Sequence, residues 1–167
     1  MAERHIGLTS ALAEGYFQAA QVCLNLHHTP PAEFALRDET DELVVTVDWA
    51  IPDERTCRAW ANQSEATENG AYGCALAAIE LTRGLIAVSR AETMTGADFY
   101  VVPLGKQMAE WEAWIRLEIS GTQLGEAEVK ARLRRKVKQA LRGRSSLPAF
   151  AMVVGFKARL IVAQECR

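Results

Sequence analysis

A chain of 167 residues, 49% hydrophobic and 24% charged, is long enough for one domain with a proper core and too short for two comfortable ones. Its balance excludes a largely disordered or fibrous protein, and no apolar run approaches the roughly 18 residues that a membrane span requires. The net charge of −2 conceals two opposed stretches: acids dominate Glu33 to Glu68, whereas Lys130 to Arg144 holds eight basic residues and no acid. Local charge, not the total, therefore points to partners. The opening MAERHIGLTSALAEGYF is charged and amphipathic, without the apolar core of a secretory signal. Cys23, Cys57, Cys74 and Cys166 form no CxxC pair. A reducing, cytoplasmic setting is the expectation.

Leu8, Leu12, Tyr16, Ala19, Ala20, Cys23 and Leu24 fall near helical spacing and predict a helix over residues 8–26, stopped by Pro30-Pro31. Two β-like runs follow, Glu33–Arg37 and Glu42–Trp49, joined by the polar turn Asp38-Glu39-Thr40-Asp41. Ser64, with Glu65 and Glu68 behind it, suits the start of a long helix over 64–83, because an oxygen cap and early acids satisfy free amides there. Its many small residues, such as Gly70, Ala71, Gly73 and Ala75, would let it lie close on a sheet, and Gly84 ends it. Strands are predicted at 85–89, 97–104 and 114–120, then a helix at 126–142 and strands at 149–156 and 159–164. The expected organisation is a single domain, residues 1–62 forming a helix and hairpin extension on a core of 63–167.

Hydrolysis of phosphodiesters with a divalent ion needs hard oxygen ligands on adjacent rigid elements and a cation near the phosphate. Asp98 begins one predicted strand, and Glu118 lies near the end of the next. Side chains on a strand alternate, so Trp114, Arg116, Glu118 and Ser120 share one face while Ile115, Leu117 and Ile119 share the other. With the apolar trio on the core, Glu118 and Ser120 point together into a cleft beside Asp98. The stripe Glu65, Glu68, Tyr72 and Ile79 follows helical spacing, and its acidic end is placed to reach the same cleft. Each signal has a plainer reading. Asp98 after Gly96 suits a turn, Glu65 and Glu68 suit a helix start, and a charge run suits a solvated face.

The succession of a helix Glu, a strand, Gly-Ala-Asp98 on a strand, Glu118-Ile119-Ser120 on a strand, a basic helix and a further strand resembles the αβββαβ core of the PD-(D/E)XK (restriction-endonuclease-like) superfamily, over residues 64–156. The segments Glu65–Gly73, Arg116–Gly121 and Arg134-x-Lys136-x-x-Gln139 are similar to a bacterial branch with Ser in place of the motif Lys. The resemblance implies an α/β fold with a mixed sheet flanked by helices, and Mg²⁺ held by Asp98 and Glu118. It assigns the helix acid to Glu65 or Glu68, with Glu65 favoured. Ser120 stands where the motif Lys is expected, so Lys136 or Lys138 would supply the cation from the second helix. The implied activity is metal-dependent cleavage of DNA or RNA, with bacterial defence as one setting.

The alternative is a catalytically inactive nuclease-fold protein that serves a larger complex as a binding or regulatory subunit, a protein partner or a second copy being its companion. Lys130, Arg134, Lys138 and Arg142, spaced four apart, are the expected phosphate-facing stripe. His5, His27 and His28 lack metal spacing and are expected on the surface. Trp49, Trp60, Trp111 and Trp114 are expected to pack.

Overall fold

A computed structural model describes residues 1–39, 41–106 and 109–167. Thr40 of the expected polar turn lies outside them. The elements run α1 Ser10–Asn25, β1 Ala32–Asp38, β2 Asp41–Val47, α2 Glu54–Ala59, α3 Gln63–Arg83, β3 Leu85–Arg90, β4 Phe99–Pro103, β5 Ile115–Thr122, α4 Glu126–Arg142, β6 Ala149–Gly155 and β7 Leu160–Glu165. The strands form one open seven-stranded mixed sheet in the order β2-β1-β7-β6-β5-β4-β3. β3, β4 and β5 make an antiparallel meander, α4 crosses over, and β6 returns parallel to β5. β7 then joins β1 in parallel, so the N-terminal hairpin extends the same sheet. No helix among the described residues is long and apolar enough to cross a membrane.

Both faces of the central strands are covered, which explains their nearly unbroken apolar runs. On one face, Leu117, Ile119, Phe150 and Met152 meet Leu76 and Ile79 of α3 in the main core. On the other, Val153 and Val162 pack with Val129 of α4. The small residues of α3 do bring it close, though α1 shares the benefit. A Cβ on Gly70 would stand 3.0 Å from the Ala20 backbone of α1, and one on Gly121 of β5 would meet the Thr67 carbonyl of α3 at 2.5 Å.

Several expectations need correction. The cap of α3 is Asn62, whose Oδ1 accepts from Ser64 N and Glu65 N, so the helix starts ahead of Ser64. A short helix, α2, follows Pro52 with Asp53 as its cap and had no clear periodicity to reveal it. Of the histidines expected on the surface, His5 is buried, and His27 and His28 are half-buried. His5 is fully buried, its Nδ1 accepting from Ala87 N and its Nε2 facing Glu80, and His28 Nε2 donates to the Phe156 carbonyl. Trp49 packs in the core as expected, whereas Trp111 is exposed.

Arg116 decides how α4 ends. Among the described residues its buried guanidinium has no carboxylate partner, and carbonyls satisfy it instead: Leu147 O at 3.1 and 3.0 Å, and Thr95 O and Ala140 O both at 2.8 Å. Ala140 O belongs to the last turn of α4, the negative end of the helix dipole. Gly143 follows at once, and a Cβ there would overlap Thr95 O and stand 2.7 Å from Arg116 Nη1. Replacing Gly143 by Ala is therefore expected to cost about 1–3 kcal/mol by overpacking, measured as a lowered urea midpoint with an unchanged slope.

Candidate functional site

The site arises where β4 and β5 part. Their pairing covers Phe99↔Leu117, Tyr100↔Arg116 and Val101↔Ile115 only, whereas β5 keeps β6 as a partner through Thr122. One edge of β5 is thus left without a strand beyond Leu117. Asp98 sits just before β4 and bridges the gap: its N–H donates to Leu117 O at 2.9 Å, and its Oδ2 accepts from Ile119 N at 2.7 Å. A side-chain carboxylate here does the work of a missing strand carbonyl.

Glu118 lies in β5 on the face under α4 and is 2% exposed. An unpaired carboxylate so placed would cost several kcal/mol. Lys136 of α4 supplies the partner, its Nζ forming an ion pair with Glu118 Oε1. Ser120, two residues on, receives a long hydrogen bond from Arg132 Nη1 at 3.4 Å, and the same nitrogen donates to Gly121 O at 2.9 Å. The matching is geometric: two strand residues advance about 6.6 Å and four helix residues about 6.0 Å. Glu118 and Ser120 therefore meet Lys136 and Arg132 in turn. Ser120 is thus met by a cation, Arg132, from the helix above it.

From the other side of the sheet, Tyr72 Oη of α3 lies 2.9 Å from Glu68 Oε1 and 3.0 Å from Asp98 Oδ1. With a single proton it donates to one carboxylate at a time, tying the two together. Glu68, Asp98, Glu118 and Lys136 line a cavity of about 940 Å³. A second, of about 510 Å³, shares Glu68, Asp98 and Lys136 and adds Ser120 and Arg132. Burial pushes the Asp98 carboxyl above its usual range, against the Ile119 N–H and the charge of Lys136. Burial also raises Glu118, and the nearby Asp98 charge raises it further, with Lys136 opposing. The two acids sense each other across one cavity.

Each expected residue has a definite place. Asp98, Glu118 and Lys136 are brought together. Ser120 lines the second cavity. Glu65 is not brought in: it lies in the exposed first turn of α3 and lines neither cavity, while Glu68, about 4.5 Å further along the axis, lines both. The stripe on α4 divides. Lys138 and Arg142 line the larger cavity, Lys130 pairs with Glu126 at 2.8 Å, and Arg134 lines neither. The reason is the helix repeat: each step of four overshoots a turn by about 40°, so the stripe winds away from the cleft. Arg135 and Arg144 take the vacated places.

Arg90 and Arg132 were not singled out from sequence, and Tyr72 was named only as a member of the stripe that begins at Glu65. Among the described residues, no three His, Cys, Asp or Glu side chains converge as a metal-holding group. The chain matches no protein-family model, no curated protein and no solved structure.

Because Asp98 is a raised carboxylate, its folded form holds a proton more tightly than the unfolded chain does, and its ionised form weakens the fold at neutral pH. An Asn keeps an oxygen for Ile119 N–H and removes the repulsion with Glu118. Asp98→Asn is expected to melt at or above the parent temperature at neutral pH. The advantage should shrink as pH falls through the folded pKa of Asp98, measured by thermal melts across the carboxylate range.

Proposed function

We propose that this protein is a metal-dependent nuclease-like domain of the PD-(D/E)XK kind, cleaving phosphodiester bonds in DNA or RNA. The observation that carries the reading is Glu118 and Asp98 on one cavity where β4 and β5 part, with Lys136 paired to the Glu118 carboxylate. The order of helix, three antiparallel strands, crossover helix and parallel strand supports it.

The donor set suits Mg²⁺, which is typically bound by one or two carboxylates together with waters and substrate phosphate oxygens. Asp98 and Glu118 would hold the ion, and it would supply charge neutralisation at the phosphate and a more acidic water. Burial raises the Glu118 carboxyl and the Asp98 charge raises it further, which a bound cation would relieve. Lys136 is placed to orient a water or meet a phosphate oxygen, taking the role that Ser120 cannot. Glu68 and Tyr72 hold the Asp98 carboxylate in position. Lys138, Arg142 and Arg144 present positive charge to an incoming backbone.

A second reading, a domain of this fold that binds nucleic acid or a partner without cleaving, is favoured by the lack of a converging acid triple among the described residues. Cleavage assays on plasmid, single-stranded DNA and RNA with Mg²⁺ or Mn²⁺ separate the two. Asp98→Asn, Glu118→Gln and Lys136→Met are each expected to reduce cleavage by about 100-fold or more. A parent that binds but never cleaves would leave the second reading.

Binding has its own test. Each phosphate contact on duplex DNA contributes about 0.9 to the slope of log K against log salt. The triple variant Lys138→Gln, Arg142→Gln, Arg144→Gln should flatten that slope by about 2–3 units. The double variant Lys130→Gln, Arg134→Gln should leave it nearly unchanged.

A further inference from the structure

Arg90 is the last residue of β3 and lines the larger cavity beside Asp98. Its presence there depends on an irregularity. β3 pairs with β4 in regular register from Leu85↔Pro103 to Ala87↔Val101, then slips, so that Ser89 faces Tyr100 and Arg90 faces Phe99. Without the slip, Ser89 would stand opposite Phe99 and Arg90 would turn to the other face. Bulges re-aim side chains in this way. The N-terminal segment seats this one: Gly7 N donates to Ala87 O at 3.0 Å, and a Cβ on Gly7 would stand 2.5 Å from Ser89 N.

Once turned, the guanidinium lies over a pair of rings. Its central carbon lies 4.7 Å from the centre of Tyr72 and 4.5 Å from that of Phe99. Nη1 donates to Tyr16 Oη at 3.4 Å. Tyr72 and Phe99 are themselves locked edge to face, 5.4 Å apart, and Tyr16 stands edge-on to both. No carboxylate forms an ion pair with Arg90 among the described residues, although Arg37, Arg58, Arg83, Arg132, Arg135 and Arg167 all have one. A guanidinium carries five N–H donors in a planar fork that matches phosphate oxygens. Here the fork is braced by its cation–π contacts with Tyr72 and Phe99 and its bonds to the tyrosines, lines a cavity, and among the described residues has no carboxylate to neutralise it.

The geometry points to Arg90 as a phosphate clamp: it receives the oxygens of a substrate phosphate on the β3 side of the cavity, across from Lys136 on α4. The assignment rests on the phosphodiester reading of the site. A solely structural Arg90 would need the rings and no ligand, and a mere counter-ion for Asp98 would be served as well by lysine. A clamp needs the planar fork.

The test uses the full chain with Ca²⁺ in place of Mg²⁺, at alkaline pH where the site carboxylates are ionised in parent and variants alike. Binding of a fluorescein-labelled oligodeoxynucleotide is read by anisotropy, and folding by circular-dichroism melts. Arg90→Met and Arg90→Lys should each weaken binding by about tenfold or more, since one charge-assisted contact is lost or reduced to a point charge. If Arg90→Met does not fold, Arg90→Lys decides. Parent-like affinity in either folded variant overturns the clamp and leaves the phosphodiester reading standing. A parent that does not bind the oligonucleotide overturns both.

Discussion

A glutamate buried in the middle of a sheet must be answered by a cation, and that requirement organises this molecule. Glu118 is 2% exposed, and its charge is tolerable only because Lys136 reaches it from α4. The pairing sets the placement of the helix. Val129 and Ala140 bury against the sheet, and of the cations between them Arg132, Arg135, Lys136 and Lys138 line the cavities. Removing either partner strands the other, and a lone buried charge costs far more than the pair contributes. Burial and the neighbouring Asp98 charge still raise the Glu118 carboxyl, with Lys136 opposing.

Arg116, two residues earlier on the same strand face, is the counterpart. It too is buried, but carbonyl dipoles satisfy it rather than a carboxylate. Those carbonyls come from the 95 turn, the end of α4 and the segment leading to β6. One guanidinium thereby joins the cavity wall, the helix and the next strand. Gly143 and Gly96 permit the approach, for a Cβ on Gly96 would stand 2.9 Å from Gln139 O. The basic residues Arg142 and Arg144 flank this junction, so their direction is set by packing rather than by charge.

The parting of β4 from β5 is the third element. An open sheet edge usually invites pairing with another strand. Here the exposed edge of β5 is covered by a side chain, Asp98, whose carboxylate accepts Ile119 N–H. The cost of an unsatisfied backbone donor is avoided, and the carboxylate is held where α3, α4 and the sheet meet. Tyr72 completes the arrangement by linking Asp98 to Glu68 across the core boundary.

Much of this was legible in the chain. Alternation in 114–120 placed Arg116, Glu118 and Ser120 on one face, and the run of basic residues from Lys130 to Arg144 placed cations, Lys136 among them, on the helix that follows. The alternation is a local periodicity, which depends on the backbone alone. The spans of α3 and α4 and the acid pair Asp98 and Glu118 were readable for the same reason. Other features were not. Glu68 rather than Glu65 reaches the cleft because axial position relative to β5 decides it, and both acids suit a helix start equally. The stripe from Lys130 to Arg142 divides because a four-residue step drifts around the helix, and only the sheet beneath defines which side is the cleft. Arg90 depends on a slip in register held by Gly7, some eighty residues away, and His5 of that N-terminal segment is buried where it meets Ala87 and Glu80. Periodicity determined which residues share a face, and contacts remote in sequence decided what each face meets.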